Sequence, residues 1–330
     1  MGESSTDPRE YYRAKYQELE DLPGLGPAGA QKLSQSGFKT VQSIATASSR
    51  ELIEAGVGEV LANSIIEAAR KSLEIRFIRG DELAKIHAGK RKLTLGCGSL
   101  DRLFAGGVDT ESITEFYGEF GSGKSQICQQ LAVTVQLPED KGGLDGGCLY
   151  LDTEQVFQTS RITQIAIHLG LDPEEVLKNI IYASAFTSEH QTVLLESCDE
   201  VIKDQGIRLI IVDSLIGHFR SEYPGRETLA PRQQALNKHL HKLKRLCTGF
   251  RAAAVVTNQV MSTPDSFGGP QFPKAVGGHI LGHQAHTRTF LRKGRDNLRI
   301  AKIVASPFLP EGEATFRITE GGITSDDEDV

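Results

Sequence analysis

Beyond residue 96 the hydrophobic positions form short apolar runs, and the stretches between them repeat their apolar residues at helical spacing. Such runs are typical of strands that are buried on both faces of a parallel sheet, because crossover helices cover each face. The pattern therefore predicts an α/β core with a mainly parallel sheet. The runs are SITEFY at 112–117, GCLYLD at 147–152, NIIYAS at 179–184, RLIIVD at 208–213 and AAAVVTNQ at 252–259.

The first part of the chain has a different pattern. Residues 1–20 are polar and charged, which predicts a flexible arm. An internal repeat follows, because GLGPAGAQKL at 24–33 aligns with GVGEVLANSI at 56–65. Each unit is a glycine turn followed by a helical pattern, which predicts a small all-α helix-hairpin-helix domain at 21–70 that binds DNA phosphates. A helical protein-docking domain is the alternative. The glycines of the two turns are Gly24, Gly26, Gly56 and Gly58.

Residues 71–95 are charged and connective, with Phe77 as the main apolar residue in their middle. This composition predicts a linker between the helical domain and a core that occupies 96–330. A total of 330 residues is enough for about two domains of ordinary size.

Composition excludes several classes of protein. No apolar run approaches the roughly 20 residues that cross a bilayer, and the N-terminus has no hydrophobic segment of a signal peptide. Five scattered cysteines without a C-x-x-C pair indicate neither a disulfide framework nor a zinc site. We therefore expect a cytoplasmic protein without a membrane partner. A formal charge of −6 argues against unselective coating of nucleic acid, so basic character has to be sought locally.

A phosphate-binding loop is the strongest chemical signal in the chain. The segment 118–126 lies between the first apolar run and a helical stripe, and it matches G-x-x-x-x-G-K-S/T in the strand-loop-helix context that the motif requires. Glycines let backbone N–H groups surround a triphosphate, the lysine meets the β and γ oxygens, and the serine binds Mg²⁺. We therefore predict that ATP and Mg²⁺ bind here. The nucleotide-binding residues are Gly118, Glu119, Phe120, Gly121, Ser122, Gly123, Lys124, Ser125 and Gln126.

Carboxylates follow two of the other apolar runs. RLIIVD ends in Asp213, at the edge of a parallel sheet where ligands bind, and this position predicts a Mg²⁺ ligand that acts with Ser125. YLDTE contains Asp152 and Glu154 at the end of another run. Glu154 is the candidate base that polarises water, and a turn or capping residue is the alternative.

Two later segments have the composition of ligand-binding loops. The segment 217–233 carries Arg220, Arg226 and Arg232 among turn residues, and the segment 258–280 is rich in glycine and proline and too long for a simple connection. Both follow strands that end at the nucleotide site, which favours a ligand-binding role. Solvated charge and flexible connection are the alternative. A third basic segment, 288–302, has six lysines and arginines and one acid.

With these motifs in one order, the chain from about residue 20 to 323 resembles the archaeal RadA recombinases, relatives of bacterial RecA. The resemblance implies a RecA-like P-loop ATPase core that follows a helix-hairpin-helix domain. It also implies a filament on single-stranded DNA, pairing and strand exchange with double-stranded DNA in repair, and recombination mediators as further partners. The motifs are GSLDRLFAGGV, GEFGSGKSQICQQLAVTVQLP, YLDTE, LIIVDS, GRETLAPRQQALNKHLHKLKRL, TNQV and SPFLPEGEATFRITEGGI.

The resemblance also implies roles for single residues. Glu154 is similar to the water-activating carboxylate of the family, and Gln259 is similar to the γ-phosphate sensor that precedes the second DNA-binding loop. Arg161 resembles the arginine that stacks on adenine. The segments 217–233 and 258–282 resemble the two DNA-binding loops, whose basic residues contact the DNA backbone.

Assembly residues and departures from the family pattern complete this comparison. Phe77 resembles the aromatic anchor that docks into the neighbouring subunit, and Gly80 stands at the small residue of the same extended segment, where many members have alanine. Ala305 occupies a position of the ATP cap where aspartate is common. Around Glu154, glycine is replaced by Gln155 and an Arg-Pro pair is replaced by Gln158 and Thr159.

Two other functions share some of these features. A P-loop kinase or a hexameric helicase would have the nucleotide site, but it would not account for the glycine-turn repeat together with two basic loops. A recombination mediator that binds ATP without strand exchange is the closer alternative. Glu154, Asp213 and the helical domain favour the recombinase.

Overall fold

The computed structural model describes residues 15–72, 79–225, 227–260 and 284–326. A small helical domain comes first and an α/β core follows, which confirms the predicted fold class. Phe77 and Arg226 lie outside the described residues, and so do residues 261–282 of the second predicted DNA-binding loop.

The helical domain is built from four short helices around its own core. Thr40 and Ser48 cap the second and third helix, because their side chains accept hydrogen bonds from the backbone N–H groups of Ser43 and Glu51. Leu19 is buried in this core, so the folded domain begins within the segment predicted as an arm. The helices are α1 (Pro27–Gln35), α2 (Val41–Thr46), α3 (Ser49–Glu54) and α4 (Glu59–Ser72), and a 3-10 helix at Leu19–Asp21 precedes them.

A helix also occupies part of the predicted linker. This helix, α5 (Gly80–Ala88), begins at Gly80, so the prediction of an extended segment is wrong at that residue. A Cβ atom added to Gly80 would meet no other atom within 4 Å. Alanine therefore fits this position sterically, and the role of Gly80 in a subunit contact stays a prediction.

The core is organised around a large sheet with the order β11-β10-β9-β8-β3-β7-β6-β4-β5, and β1 and β2 form a separate antiparallel pair. The strands are β1 (Lys92–Leu93), β2 (Val108–Asp109), β3 (Ile113–Gly118), β4 (Gly147–Asp152), β5 (Ile180–Ser184), β6 (Ile207–Asp213), β7 (Ala253–Asn258), β8 (Thr287–Lys293), β9 (Leu298–Ala305), β10 (Gly312–Thr319) and β11 (Gly322–Ser325).

The five apolar runs became β3 to β7, and all of them pair in parallel as the sequence predicts. β8 pairs in parallel with β3 and antiparallel with β9, and the antiparallel pairing continues through β10 to β11. The sequence did not predict this antiparallel extension. It covers one edge of the parallel part, while β5 forms the other edge of the sheet.

Helices cover both faces of the sheet. α7, α8 and α9 pack on one face through residues such as Leu131, Ile165 and Val176. α10 to α13 pack on the other through residues such as Leu195 and Leu240. The core helices are α6 (Gly98–Leu103), α7 (Lys124–Thr134), α8 (Thr159–His168), α9 (Pro173–Lys178), α10 (Ser188–Glu196), α11 (Asp199–Asp204), α12 (Gly217–Glu222) and α13 (Leu229–Phe250).

Two details of these helices differ from the sequence-based expectations. α7 is buried all round from Ile127 to Thr134 rather than along one stripe, because the C-terminal strands cover its remaining side. The segment predicted as the first loop, 217–233, contains α12 and the start of α13, so most of it is helical. Among the described residues, no helix combines the length and the apolar character that crossing a membrane requires.

The helical domain contacts the core through packing of α2 against α13 and through ion pairs. Arg245 of α13 donates to both oxygens of Glu51 at 2.9 and 3.0 Å, and it also donates to the carbonyl of Thr46. Two further pairs, Lys39 with Glu200 and Lys203 with Glu18, join the same two bodies. Charge therefore contributes to this junction, and it does so in partly exposed surroundings.

Acid is expected to loosen the junction. Burial raises the pKa of the Glu51 carboxyl, but hydrogen bonds from Ser48 and the adjacent Arg245 outweigh it and leave the pKa below its ordinary value of 4.5. A carboxyl whose pKa is lowered by folding contributes stability above its ordinary pKa, and this contribution is lost as the pH falls through the lowered value. The ion pair should therefore stabilise the junction at neutral pH, and this contribution should be lost in acid.

Glu51→Gln tests this expectation at neutral pH. The amide keeps the hydrogen bonds within α3 but loses the attraction to Arg245, which is worth about 1 kcal/mol or less for an exposed pair. We expect a larger radius of gyration in small-angle scattering, with helix content unchanged in circular dichroism. Glu54→Gln is the matched control, because Glu54 pairs with Arg50 inside the helical domain. Equal compactness of the two variants would contradict the expectation.

Candidate nucleotide-binding and hydrolysis site

The phosphate-binding loop joins β3 to α7, and backbone constraints fix its shape. A Cβ atom on Gly118 would lie 2.2 Å from the carbonyl oxygen of Leu291, so only glycine lets β3 approach β8 this closely. Gly123 precedes α7 with a φ of 103°, a conformation that favours glycine. The loop therefore ends at a helix N-terminus, where backbone N–H groups are free to meet an anion.

Lys124 reaches back across this loop. Its ammonium group donates to the carbonyl oxygens of Gly118 at 3.0 Å and Glu119 at 2.9 Å. Burial lowers the pKa of Lys124, and the nearby carboxylates of Asp213 and Glu154 oppose this effect. The lysine is thus held inside the loop, in the position where phosphate oxygens would replace the carbonyls as its partners.

Asp213 is the buried acid at the end of β6. Its carboxylate accepts hydrogen bonds from the hydroxyl groups of Tyr150 at 2.9 Å, Thr257 and Ser125. Burial raises the pKa of Asp213, and the three hydroxyl groups and the charge of Glu154 modify this shift in opposite directions. Ser125 and Asp213 therefore meet, as a shared Mg²⁺ site requires, and their hydroxyl and carboxylate oxygens are ligands that Mg²⁺ prefers.

Glu154 lies between two strands that are distant in sequence. Its Oε1 atom accepts hydrogen bonds from the hydroxyl of Ser214 at 2.7 Å and from the side-chain amide of Gln259 at 3.2 Å. Thr153 fixes the same region, because its hydroxyl oxygen accepts from the backbone N–H of Ser214 at 2.8 Å. The structure brings Glu154 and Gln259 together as the sequence analysis expects. Ser214 was missed, although its position directly after Asp213 was a usable signal.

The second strand-end acid has a different task. Asp152 is fully buried and accepts from the backbone N–H groups of Glu154 at 3.0 Å and Phe157 at 2.9 Å. It therefore shapes the turn that presents Glu154. Gln155 lies in this turn with a φ of 55°, a backbone conformation that favours glycine.

Arg161 lies on α8 beside the start of α7. Its guanidinium donates to the side chain of Gln126 at 2.8 Å and to the carbonyl of Glu320 at 2.6 Å. Burial lowers its pKa. The flat group is therefore held in one orientation at the rim of the phosphate-binding loop, as a stacking role requires. Phe120 projects from the same loop and is 90% exposed.

The predicted DNA contacts fall on two parts of the molecule. Arg220 is exposed on α12, and Arg232 is half-buried in the first turn of α13. α12 is anchored below them, because Phe219 is buried and Glu222 accepts from the backbone N–H of Ser188 at 2.8 Å. The two arginines therefore flank one segment at the carboxyl end of β6.

The glycine turns of the helical domain are exposed. Gly24 and Gly56 have φ values of 76° and 84°, and Gly24 and Gly58 line one shared open groove. Lys32 donates to the carbonyl of Gly56 at 2.9 Å, which places a cation beside the second turn. Gly26 is the residue before α1, so its turn leads directly into a helix N-terminus.

The basic segment 288–302 is largely paired within the protein. Arg292 and Lys302 share the carboxylate of Glu313 at 3.6 Å each, and Arg288 pairs with a buried glutamate. Arg299 donates to the carbonyl of Gly121 at 3.1 Å. Part of this positive charge therefore supports the phosphate-binding loop.

Together, the strand order, the loop between β3 and α7 and the carboxylates that follow β4 and β6 define a P-loop protein with a RecA-like core. The Rad51 family model matches residues 90–326, and the model of the SAM-like helix-hairpin-helix tandem matches residues 16–71. The DNA repair and recombination protein RadA of Aeropyrum pernix is 49% identical over 312 residues, which cover 94% of this chain and 98% of that protein. The chain belongs to the Rad51 family, and the resemblance to archaeal RadA recombinases is confirmed.

Proposed function

We propose that this protein is a DNA-dependent ATPase and recombinase that forms a filament on single-stranded DNA and catalyses homologous pairing and strand exchange in DNA repair. One observation carries the proposal beyond family membership. Gln259, the residue that opens the second predicted DNA-binding loop, donates to Glu154 at 3.2 Å. Occupancy of the loop by DNA can thus act directly on the group that activates water.

The residues divide the chemistry among themselves. Lys124, Ser125 and Asp213 would hold the triphosphate and Mg²⁺, and the ion supplies positive charge where negative charge develops in phosphoryl transfer. We assign the proton of the attacking water to Glu154, because Asp152 is tied to two backbone N–H groups and the buried Asp213 already accepts from three hydroxyl groups. Ser214 and Gln259 orient that carboxylate.

Self-association is proposed to use the β5 edge of the sheet. β5 has its outer edge unpaired among the described strands, and Tyr182 and Phe186 at this edge are 44% and 65% exposed. An exposed edge strand with apolar side chains is a template for an added strand from another chain. The segment that contains Phe77 is our candidate for that strand.

Two assays on the purified full-length protein test the proposed function. Single-stranded DNA should stimulate ATP hydrolysis, and the DNA-bound protein should form joint molecules between homologous substrates when ATP and Mg²⁺ are present. ATP binding with no joint molecules would instead identify a recombination mediator. No binding of ATP would contradict both functions.

Arg232→Ala should weaken the binding of every single-stranded sequence alike, because strand exchange has to operate on any sequence and therefore uses phosphate contacts. Loss of one phosphate contact should reduce the slope of log K against log salt by about 0.7 to 1. Fluorescence anisotropy with oligonucleotides of different composition measures both effects. Lys141→Ala removes an exposed charge outside the predicted DNA-binding segments and is the control. A loss that is confined to one base composition would contradict the prediction.

A further inference from the structure

A buried ion pair lies beside the root of the second predicted DNA-binding loop. Glu115 of β3 is completely buried and faces Arg288 in the register of β3 and β8, with the guanidinium Nε 2.5 Å from Oε2. The same guanidinium lies over the ring of Tyr117, 5.5 Å from its centre. The carboxylate of Glu115 is therefore held in place by a cation that is itself fixed by an aromatic ring.

Asn258, the last residue of β7, contacts the second oxygen of this carboxylate. Its side-chain NH₂ group donates to Oε1 of Glu115 at 2.9 Å, and its side-chain oxygen Oδ1 accepts from the backbone N–H of Gln259 at 2.8 Å. Gln259 in turn donates to Glu154. A continuous series of polar contacts thus runs from Arg288 through Glu115, Asn258 and Gln259 to the water-activating carboxylate.

Stability alone does not account for a buried pair at this position. Removing two charges from water costs free energy that their attraction repays only partly, and a well-packed apolar pair is often at least as stable. The neighbours Tyr117 and Phe290 form a small apolar cluster that could extend over such a pair. The polar pair nevertheless connects β8, β3 and β7 at the level from which the phosphate-binding loop and the second loop both start.

We propose that Glu115, held by Arg288, is a positioning residue for ATP hydrolysis. It fixes Asn258, and Asn258 sets the backbone of Gln259 so that the Gln259 amide meets Glu154. The inference rests on the proposed function, namely hydrolysis of ATP at Glu154. β8, β3 and β7 would thus hold the first residue of the second predicted DNA-binding loop, Gln259, within hydrogen-bond distance of Glu154.

Exchange of donor and acceptor tests the proposal. Asn258→Asp keeps the size of the side chain and the acceptor for Gln259, but it removes the donor to Glu115 and places two carboxylates together. We expect kcat for DNA-stimulated ATP hydrolysis to fall at least tenfold, while the Kd of a fluorescent ATP analogue changes less than twofold. In the double variant Glu115→Gln/Asn258→Asp the amide and carboxylate have changed places, and kcat should return to within threefold of the unsubstituted protein.

The other outcomes separate the inference from the proposed function. Unchanged kcat in Asn258→Asp would overturn the inference alone, and so would a failure of the double variant to recover while its thermal midpoint is normal. If Asn258→Asp does not fold, Asn258→Ala replaces it, because alanine adds no second charge, and the same loss of kcat with unchanged Kd is expected. Absence of turnover in the unsubstituted protein would overturn the proposed function and the inference with it.

Discussion

Glu154→Gln is expected to bind ATP and DNA normally and to lose ATP turnover by a factor of about 10² to 10⁴, the usual contribution of a general base. Glutamine has the shape of glutamate. Its side-chain oxygen can still accept from Ser214 and Gln259, the two groups that donate to Oε1 of Glu154 in the unsubstituted protein. The geometry of the site is therefore preserved while the proton acceptor is removed. Single-turnover hydrolysis in the presence of single-stranded DNA measures the loss.

A matched charge change distinguishes this chemical effect from a general one. Glu174→Gln alters an exposed acid in the first turn of α9, outside the site, and should hydrolyse ATP at the normal rate. If Glu154→Gln loses the binding of a non-hydrolysable ATP analogue to the same extent as turnover, Glu154 is a structural residue rather than the base.

Lys124→Ala should bind ATP at least about 100-fold more weakly, because a hydrogen bond to a charged group contributes about 1.5 to 3 kcal/mol and the ammonium can contact more than one phosphate oxygen. It should also fail to assemble in response to nucleotide. The ammonium group of Lys124 is partly buried between the loop carbonyls and two carboxylates, so the loss in ATP affinity should come from this side chain. Titration with a fluorescent ATP analogue gives the Kd.

Lys178→Ala is the control for this experiment, since Lys178 pairs with Glu175 on the surface and its loss removes the same charge. Lys124→Arg adds a second comparison, because it keeps the charge but changes the donor geometry. A Kd for Lys124→Ala within threefold of that of the unsubstituted protein would refute the role assigned to the lysine.

The parallel part of the fold was predictable because four of its strands, β3, β4, β6 and β7, are almost wholly buried. An apolar run such as 208–213 is typical of a strand covered by helices on both faces, and it became β6, an interior strand between β7 and β4. β9 and β10 are half-buried and mix charged with apolar residues, so their pattern did not identify them as strands. The arginines and turn residues of 217–233 likewise concealed α12, which is anchored by the single buried ring of Phe219.

The site was predictable where one motif contains the chemistry, or where an acid ends an apolar run as Asp213 does. The segment 118–126 specifies its own loop, because glycine conformations and a helix start lie within nine consecutive residues. The contact between Glu154 and Gln259 joins residues that are 105 positions apart, and it depends on how the sheet orders β4, β6 and β7. The family resemblance identified both residues, but the spacing along the sequence could not predict that they touch. It also could not predict that Ser214 donates to the same carboxylate oxygen.

The two edges of the large sheet differ, since an antiparallel strand, β11, forms one edge and a parallel strand, β5, forms the other. Copies that give a strand to β5 of one neighbour and receive a strand from a different neighbour are not related by a two-fold axis, because each contact joins two different surfaces. Such contacts repeat head to tail. The resulting assembly would have a direction, with chemically distinct ends, so that subunits would join and leave the two ends at different rates.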